Sequence, residues 1–166
     1  MQRRTLNLEA LSESELKRQL QDAVLRLLSR REHSQGELQR KLTQRGYPEE
    51  VVQQVLDHAA AEGWQSDERF VASYARQQLE QGNGARKIQA ALAQRGVSSE
   101  LIQSWLAEQD VDWAEQAYQK LVRRFGESAA TDLKDKQKRQ RYLQQRGFPF
   151  SAINSALKRQ ESASTD

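Results

Sequence analysis

The sequence contains no cysteine, which excludes disulfide bonds and every metal site that depends on thiolates. This absence also suits a reducing compartment, so we expect a cytoplasmic protein. His33 and His58 are the two histidines, and they fall in different predicted helices, so a zinc site would lack ligands. No apolar run approaches the roughly 18 residues of a membrane span, and the first residues lead into no apolar signal-peptide core. We therefore expect no metal, no cofactor and no membrane partner.

Motifs of the common enzyme classes are missing as well. The sequence holds no Gly-x-Ser-x-Gly, no Walker loop and no Gly-x-Gly-x-x-Gly. Gly82-Asn83-Gly84 has no strand before it and no Gly-Lys-Ser/Thr after it, so Gly82 is better interpreted as a helix C-cap and Asn83 as an N-cap. Neighbouring carboxylates such as Asp67 and Glu68 suit helix starts. The sequence predicts a binding protein with no catalytic residues.

Helix breakers are scarce too, because the chain of 166 residues has two prolines and eight glycines among abundant Gln, Ala, Leu, Arg and Glu. Against this helical background, Gln-Arg-Gly followed by an apolar residue occurs at residues 44–47, 94–97 and 145–148. The three glycines lie 50 and then 51 residues apart, and a leucine stands four residues before each of them. Self-similarity at a fixed period indicates a repeat protein.

Each Gln-Arg-Gly segment predicts the end of a helix. Gly46, Gly96 and Gly147 follow apolar-periodic runs, where the residue after a helix often adopts the left-handed conformation that glycine reaches without steric cost. The arginine before each glycine suits the negative end of the helix dipole. Two interpretations stay open: the segments only cap helices, or their arginines also lie at equivalent points of a repeated binding surface.

The apolar periodicity predicts an all-α fold, an elongated array of three tandem three-helix repeats. The first helix is expected to start at Glu15, and Ser34 and Glu37 match a capping box before the second helix. The predicted organisation is a flexible N-terminus at residues 1–13, helical repeats at residues 14–64, 65–109 and 110–159, and a disordered tail at residues 160–166.

The net charge of +3 is unevenly distributed along the chain. Residues 1–46 carry a net charge of +4, residues 47–113 carry −6, and residues 114–166 carry +5. Naked duplex DNA alone would favour a continuous basic stripe. Basic ends around an acidic middle instead suggest a partner of mixed charge, or two partners.

Two groups of cations are candidates for contacting such a partner. Arg86 and Lys87 lie in the first turn of a predicted helix, where the helix dipole disfavours them, and a residue that breaks a local rule is a functional candidate. Lys134, Lys138 and Arg141 share one helix face, which either binds anions or is simply solvated. The full set of predicted contact residues is Arg86, Lys87, Arg95, Arg123, Arg124, Lys134, Lys138, Arg139 and Arg141.

The middle repeat carries the most specific pattern of the sequence. It reads Asp67-Glu68-Arg69-Phe70-Val71, then Tyr74, then Gly82-Asn83-Gly84-Ala85-Arg86-Lys87-Ile88, Leu92 and Arg95-Gly96-Val97. This order resembles the central repeat of the bacterial regulatory protein RecX family. Residues 41–47 and 143–148 resemble matching segments of the outer repeats of that family, so the resemblance covers about residues 20–158.

The resemblance implies an all-helical, curved array of three three-helix repeats. It also implies that the protein binds in the groove of the RecA recombinase filament and inhibits ATP hydrolysis and strand exchange, by blocking filament growth or promoting disassembly. Single- and double-stranded DNA are implied as weaker, phosphate-directed partners, and we expect a monomer. The alternative is a helical regulatory protein that binds DNA directly through its basic third repeat. A hydrolase or nuclease is disfavoured because no metal cluster is evident.

Overall fold

The structure is a computed structural model that describes residues 8–164, apart from the side chain of Glu9. Within this range the chain forms a short 3-10 helix at Leu8–Ala10 and nine α-helices, with no strand, which confirms the predicted all-α class. The α-helices are α1 (Glu13–Leu28), α2 (Gln35–Gln44), α3 (Glu49–Ala61), α4 (Asp67–Glu80), α5 (Ala85–Gln94), α6 (Ser99–Glu108), α7 (Trp113–Phe125), α8 (Leu133–Gln145) and α9 (Phe150–Ala163). The predictions for residues 1–7 and 165–166 lie outside the described residues.

Helix α1 begins two residues before the predicted start at Glu15. Ser12 is the N-cap, and a capping box joins it to Glu15, because the Ser12 hydroxyl accepts from the Glu15 N–H and the Glu15 carboxylate accepts from the Ser12 N–H. The Ser-x-x-Glu spacing of this box can be recognised from the sequence alone. The start of α1 was therefore predictable, and the prediction of Glu15 was wrong.

The N-terminus of α2 confirms half of its predicted capping box. The Ser34 hydroxyl accepts from the Glu37 N–H at 3.0 Å, so Ser34 is the N-cap. Glu37 does not reach back to Ser34, and that part of the prediction was wrong. Its buried carboxylate is instead held by the guanidinium groups of Arg31 and Arg95, at 2.8 and 3.2 Å.

The three repeated glycines adopt the predicted left-handed conformation, with φ values of 95° at Gly46, 79° at Gly96 and 87° at Gly147. Each follows the last turn of a helix, and the N–H groups of Gly46 and Gly147 donate to carbonyls three residues earlier. The C-caps of α2 and α8 are Arg45 and Arg146, so Gly46 and Gly147 occupy the position just after the cap, where the left-handed conformation is common.

The described chain divides into two compact units. Unit 1 comprises the described residues up to Ser73 together with Arg95–Val97, and its core lies among α1, α2 and α3. The fully buried members of this core recur at helical spacing, as Leu20 and Val24 do on α1. Unit 2 comprises Tyr74–Gln94 and the described residues from Ser98 onward, and its main core joins α7, α8 and α9 around Leu121, Leu143 and Phe148.

Helix α9 continues to Ala163, so the prediction of a disordered tail from residue 160 was wrong for residues 160–163. The reason is the Gln160 side chain, which is 1% exposed. Its amide donates to the Gly126 carbonyl at 2.6 Å and accepts from Arg139 at 2.7 Å. A buried amide with both groups satisfied holds this last turn in place.

Two of the repeated Arg-Gly turns are contacted at close range by the start of another helix. In unit 1 the Ser34 hydroxyl donates to the Arg95 carbonyl at 2.6 Å, and a Cβ on Gly36 would lie 2.6 Å from the same oxygen. In unit 2 the Gly84 N–H donates to the Arg146 carbonyl at 2.7 Å, and a Cβ on Gly84 would overlap the Gly147 carbonyl. Glycine is required at these helix starts because two backbones meet there.

This packing also corrects the predicted N-cap of α5. The Ile88 N–H donates to the Gly84 carbonyl, so Gly84, and not Asn83, is the cap residue. Asn83 is buried and its amide donates to Gln78 at 2.8 Å.

No helix within the described residues combines the length and apolar character needed to cross a membrane.

Candidate anion-binding surface

Helix α8 presents the basic face that the sequence predicts. Its N-cap Asp132 accepts from the Asp135 N–H at 2.7 Å, which fixes the first turn. Lys134, Lys138 and Arg141 are exposed and line one shallow groove of about 400 Å³, together with Asp132, Asp135 and Gln137. We refer to Lys134, Lys138 and Arg141 as the basic α8 face. No salt bridge among the described residues engages these three side chains.

A second groove adjoins the basic α8 face and shares Gln137 and Arg141 with it. Its volume is about 310 Å³. Phe148 and Ile153 are almost fully buried and form its apolar floor, whereas Phe150 is 65% exposed at its edge. We call this the aromatic groove; its lining residues are Arg86, Gln137, Gln140, Arg141, Gln144, Phe148, Phe150 and Ile153.

Arg86 reaches the aromatic groove because the start of α5 is fixed on the turn between α8 and α9. The Gly84 N–H donates to Arg146, and the Arg86 N–H donates to the Gly147 carbonyl at 3.0 Å. Those two donors would otherwise be orphaned at a helix N-terminus, and here the turn satisfies them. The structure thus brings Arg86 and Arg141 to one groove from positions 55 residues apart in the sequence.

Lys87 and Arg123 belong to a separate group of cations in unit 2. The pKa of Lys120 lies below its usual value, first because of burial and then because of the nearby charges of Arg146, Arg123 and Lys87. The Lys120 ammonium donates to the Gln81 carbonyl at 2.9 Å. Arg146, Arg123 and Lys87 each lie close enough to Lys120 to disfavour its charge.

Arg124 lies next to Arg123 on α7 and is exposed. Its guanidinium carbon is 5.5 Å from the centroid of the Phe125 ring, within the range of a cation–π contact. It lines neither of the two grooves described above. The same ring lies 5.9 Å from the Lys138 ammonium, so Arg124 and Lys138 meet at Phe125.

Arg139 is buried, so the structure does not support its prediction as a contact residue. Its side chain is 6% exposed and donates to the Ser128 carbonyl at 2.7 Å, to Gln160 at 2.7 Å and to Asp135 at 2.9 Å. The hydrogen bond from Arg139 is the main reason that the pKa of Asp135 lies below its usual value. Lys138 is exposed although it is the next residue to Arg139 on α8. Successive helical residues point in directions about 100° apart, so one can be buried while its neighbour faces solvent.

Arg95 is engaged as well, in unit 1, where the other eight predicted contact residues do not lie. Its guanidinium pairs with the buried carboxylate of Glu37, and its carbonyl accepts from Ser34. The ion pair gives this arginine an internal role. The interpretation that the repeated Gln-Arg-Gly arginines form equivalent binding points is not supported at Arg95.

Phe150 is the surface residue that sequence reasoning missed. Phe150 lies just outside the stripe of Ala152, Ile153, Ala156 and Leu157 that α9 buries. Pro149 is the N-cap of α9, so Phe150 is the first helical residue; it borders that stripe and is 65% exposed. The position of Phe150 directly after Pro149 could have predicted that its ring is exposed. The α8 residues that lie beside the ring could not be predicted from the sequence.

The described residues include no group of three or more His, Cys, Asp or Glu side chains arranged to hold a metal ion.

Comparison with known proteins identifies the family. The chain matches three family models, described as the first, second and third three-helix domains of RecX, over residues 22–58, 66–106 and 108–157. The chain belongs to the RecX family.

Relatives named "Regulatory protein RecX" support this membership. The protein from Serratia proteamaculans (strain 568) is 39% identical, over 80% of this chain and 92% of the relative. The protein from Chromohalobacter salexigens is 39% identical, over 82% of this chain and 89% of the relative. Both alignments span most of each protein, so the likeness is not confined to one repeat.

Solved structures of RecX proteins share the fold. A crystal structure of regulatory protein RecX covers 95% of this chain with a TM-score of 0.76 and 23% sequence identity. The RecX structure from Lactobacillus salivarius covers 87% of this chain with a TM-score of 0.73 and 18% identity. The three matched RecX domains fall on the helix triplets α1–α3, α4–α6 and α7–α9 in turn, and the first match begins within α1. The basic α8 face therefore belongs to the third RecX domain, and Arg86 to the second.

Proposed function

We propose that this protein is a negative modulator of the RecA recombinase. It binds in the groove of the RecA–DNA filament and inhibits ATP hydrolysis and strand exchange, by blocking filament growth or promoting disassembly. The observation that carries the proposal is the basic α8 face, three exposed cations on the third domain of a chain built from three RecX domains. Family membership supports RecA as the partner, and the exposed cations support contact with the filament.

The distribution of charge supports a filament in preference to DNA alone. A recombinase filament presents both protein surface and DNA phosphates, and this chain carries net charges of +4 over residues 1–46, −6 over residues 47–113 and +5 over residues 114–166. The acidic stretch has no use on naked DNA, where it would repel phosphates. A partner that combines a protein surface with phosphates can contact both the acidic and the basic stretches of this chain.

Direct DNA binding through the third domain is the second candidate, and the basic α8 face favours it too. Phosphate-directed binding makes the logarithm of affinity fall linearly with the logarithm of salt concentration, with a slope of about −0.7 to −0.9 per phosphate neutralised. The modulator instead requires the recombinase for tight association. The two candidates therefore differ in whether RecA raises the affinity.

A single fluorescent label makes that comparison direct. Because the chain has no cysteine, Gln54→Cys on the exposed surface of α3 provides one labelling site in unit 1. Fluorescence anisotropy of the labelled protein is measured against RecA assembled on single-stranded DNA and against the same DNA alone. We expect much tighter binding to the filament. Equal affinity for the two would reject the modulator in favour of the DNA-binding protein.

A further inference from the structure

We infer that the aromatic groove is a binding site for an unpaired nucleobase, with Phe150 as the residue on which the base stacks. The inference deepens the proposed function, because it assigns a ligand class to part of the same basic surface. It differs from phosphate-directed DNA binding in requiring a free base. Single-stranded nucleic acid is therefore the ligand, and duplex is not.

The exposed ring is the first observation. Phe150 is 65% exposed, although apolar rings are usually buried, while Phe148 and Ile153 beside it are buried to 1% and 3% exposure. The ring thus stands at the edge of a groove that already has an apolar floor. Stacking of a base on such a ring stabilises single-stranded complexes by about 1–3 kcal/mol per base.

The chemistry of the rim is the second observation. Arg86 and Arg141 are the charged residues that line the groove, and no aspartate or glutamate lines it. The remaining polar lining consists of the amides of Gln137, Gln140 and Gln144, which both donate and accept hydrogen bonds. Guanidinium groups suit phosphates and base faces, and amides suit base edges, so this rim is complementary to a nucleotide.

The neighbouring groove extends the positive surface away from the stacking position. It shares Gln137 and Arg141 with the aromatic groove and adds Lys134 and Lys138. Its two carboxylates are occupied, because Asp132 caps α8 and Asp135 accepts from Arg139 and from the Thr131 N–H. A strand whose base stacks on Phe150 can therefore place its following phosphates along the basic α8 face.

The preference for single-stranded over duplex nucleic acid follows from the geometry of stacking. In a duplex both faces of each base are covered by its neighbours, so a ring at the protein surface meets only phosphates and groove edges. An unpaired base can turn a free face toward Phe150. Cations alone would bind duplex at least as well, because a duplex has the higher charge density.

The test compares oligonucleotides on the full-length protein without recombinase, so it can fail while the proposed modulation of RecA stands. The probes are fluorescein-labelled oligothymidine, the duplex of the same length, and an abasic strand with the same number of phosphates. We expect the oligothymidine to bind most tightly. We expect Phe150→Ala to weaken oligothymidine binding by about fivefold or more while changing duplex and abasic binding less than about twofold.

Three further variants make the outcome specific to stacking. Phe150→Trp should keep the wild-type affinity, whereas Phe150→Leu, which keeps an apolar side chain but no aromatic face, should resemble the alanine variant. Leu133→Ala is the matched control, because Leu133 is 70% exposed and lines neither groove, and it should change nothing. Helix content by circular dichroism checks that each variant is folded.

Several results would overturn the inference. One is equal wild-type affinity for oligothymidine and the abasic strand, which would show that the base contributes nothing. Another is wild-type affinity of Phe150→Leu for oligothymidine, which would make the groove an apolar anchor of the kind that fits a protein partner. Equal weakening of single-stranded and duplex binding by Phe150→Ala would reduce the site to general phosphate binding.

Discussion

Adjacent residues of α8 have opposite roles, and their burial distinguishes them. Lys138 is exposed on the basic α8 face, whereas Arg139 is buried and joins α8 to the Ser128 carbonyl and to Gln160 of α9. Both were predicted to contact a partner because both are cationic in the most basic run of the chain. Charge alone could not separate them, since two of the three partners of Arg139 lie 11 and 21 residues away, and only Asp135 is on the same helix.

Replacing Arg139 should therefore affect stability first. Arg139→Met leaves the Ser128 carbonyl and the buried Gln160 amide without their donor, so we expect a loss of roughly 1–3 kcal/mol in the free energy of unfolding. Urea denaturation followed by circular dichroism measures it. The matched variant Lys138→Met should stay within about 0.5 kcal/mol of wild type. Equal effects of the two variants would contradict the internal role of Arg139.

His33 makes stability depend on pH. Its ring is 2% exposed, with Nδ1 3.0 Å from the Arg31 carbonyl and Nε2 3.1 Å from the Lys41 ammonium. Burial is the main reason that its pKa lies below the ordinary 6.5. The hydrogen bond to the Arg31 carbonyl opposes this effect, the charges of Arg31 and Lys41 lower the pKa further, and Glu37 raises it. Below pH 6.5 the unfolded chain therefore takes up a proton that the folded chain does not.

Stability should accordingly be full above pH 6.5 and fall as the pH drops through 6.5 toward the lower pKa of the folded state. We expect His33→Gln to lose less stability than wild type between about pH 7.5 and about pH 5.5, as measured by urea denaturation. His58→Gln is the control, because His58 is exposed beside Trp64. A His33→Gln variant with the wild-type pH dependence would show that His33 is not responsible.

At the scale of helices and turns, the repeated glycines combine two requirements. The left-handed φ of Gly46, Gly96 and Gly147 was predicted from their position after apolar-periodic runs. The close approach of Gly36 to Arg95 and of Gly84 to Gly147 was not, because it depends on residues about 60 positions apart in the sequence. Local chemistry specifies how each helix ends, and long-range packing decides what contacts that end.

The two requirements can be separated by comparing two equivalent glycines. Gly46 and Gly147 have similar φ values, but a Cβ on Gly46 would meet only a Leu8 side-chain carbon at 3.8 Å, whereas one on Gly147 would overlap the backbone of Lys87. We expect Gly147→Ala to cost roughly 1–3 kcal/mol more than Gly46→Ala in the free energy of unfolding, because only the former overpacks a contact. Urea denaturation of the two variants gives the difference. Equal costs would leave backbone strain as the sole reason for glycine at residue 147.

The predicted capping box of α2 shows how much can be predicted from neighbouring residues alone. Ser34 caps α2 as predicted, yet Glu37 binds Arg31 and Arg95 instead of the Ser34 N–H. An arginine 58 residues away competes for that carboxylate, and no pattern near Glu37 announces it. The same limit applies to the aromatic groove, whose lining comes from α5, α8, α9 and the turn between α8 and α9. The basic α8 face was predictable because it lies on one helix.

At the scale of the whole molecule, the exposed cations should matter more for binding than for folding. Replacing Lys134, Lys138 and Arg141 by glutamate reverses the basic α8 face, so we expect weaker binding to RecA filaments with unchanged helix content, because none of these side chains is buried. Anisotropy of the labelled protein on assembled filaments measures the loss, and circular dichroism measures helix content.

A matched variant controls for net charge. Arg18, Arg30 and Arg76 are exposed cations outside both grooves, and replacing them by glutamate changes the net charge equally. We expect this control to bind filaments nearly as well as wild type at moderate salt. If the two triple variants lost the same affinity, binding would follow overall charge and not the basic α8 face.

The most direct test of the account is RecA ATP hydrolysis on single-stranded DNA, titrated with this protein at fewer copies than there are recombinase protomers. A modulator of the filament should lower hydrolysis at clearly substoichiometric ratios, because blocking an end or propagating disassembly affects many protomers per bound molecule. Hydrolysis that fell only when the DNA itself was saturated with this protein would contradict the account and leave competition for DNA as the explanation.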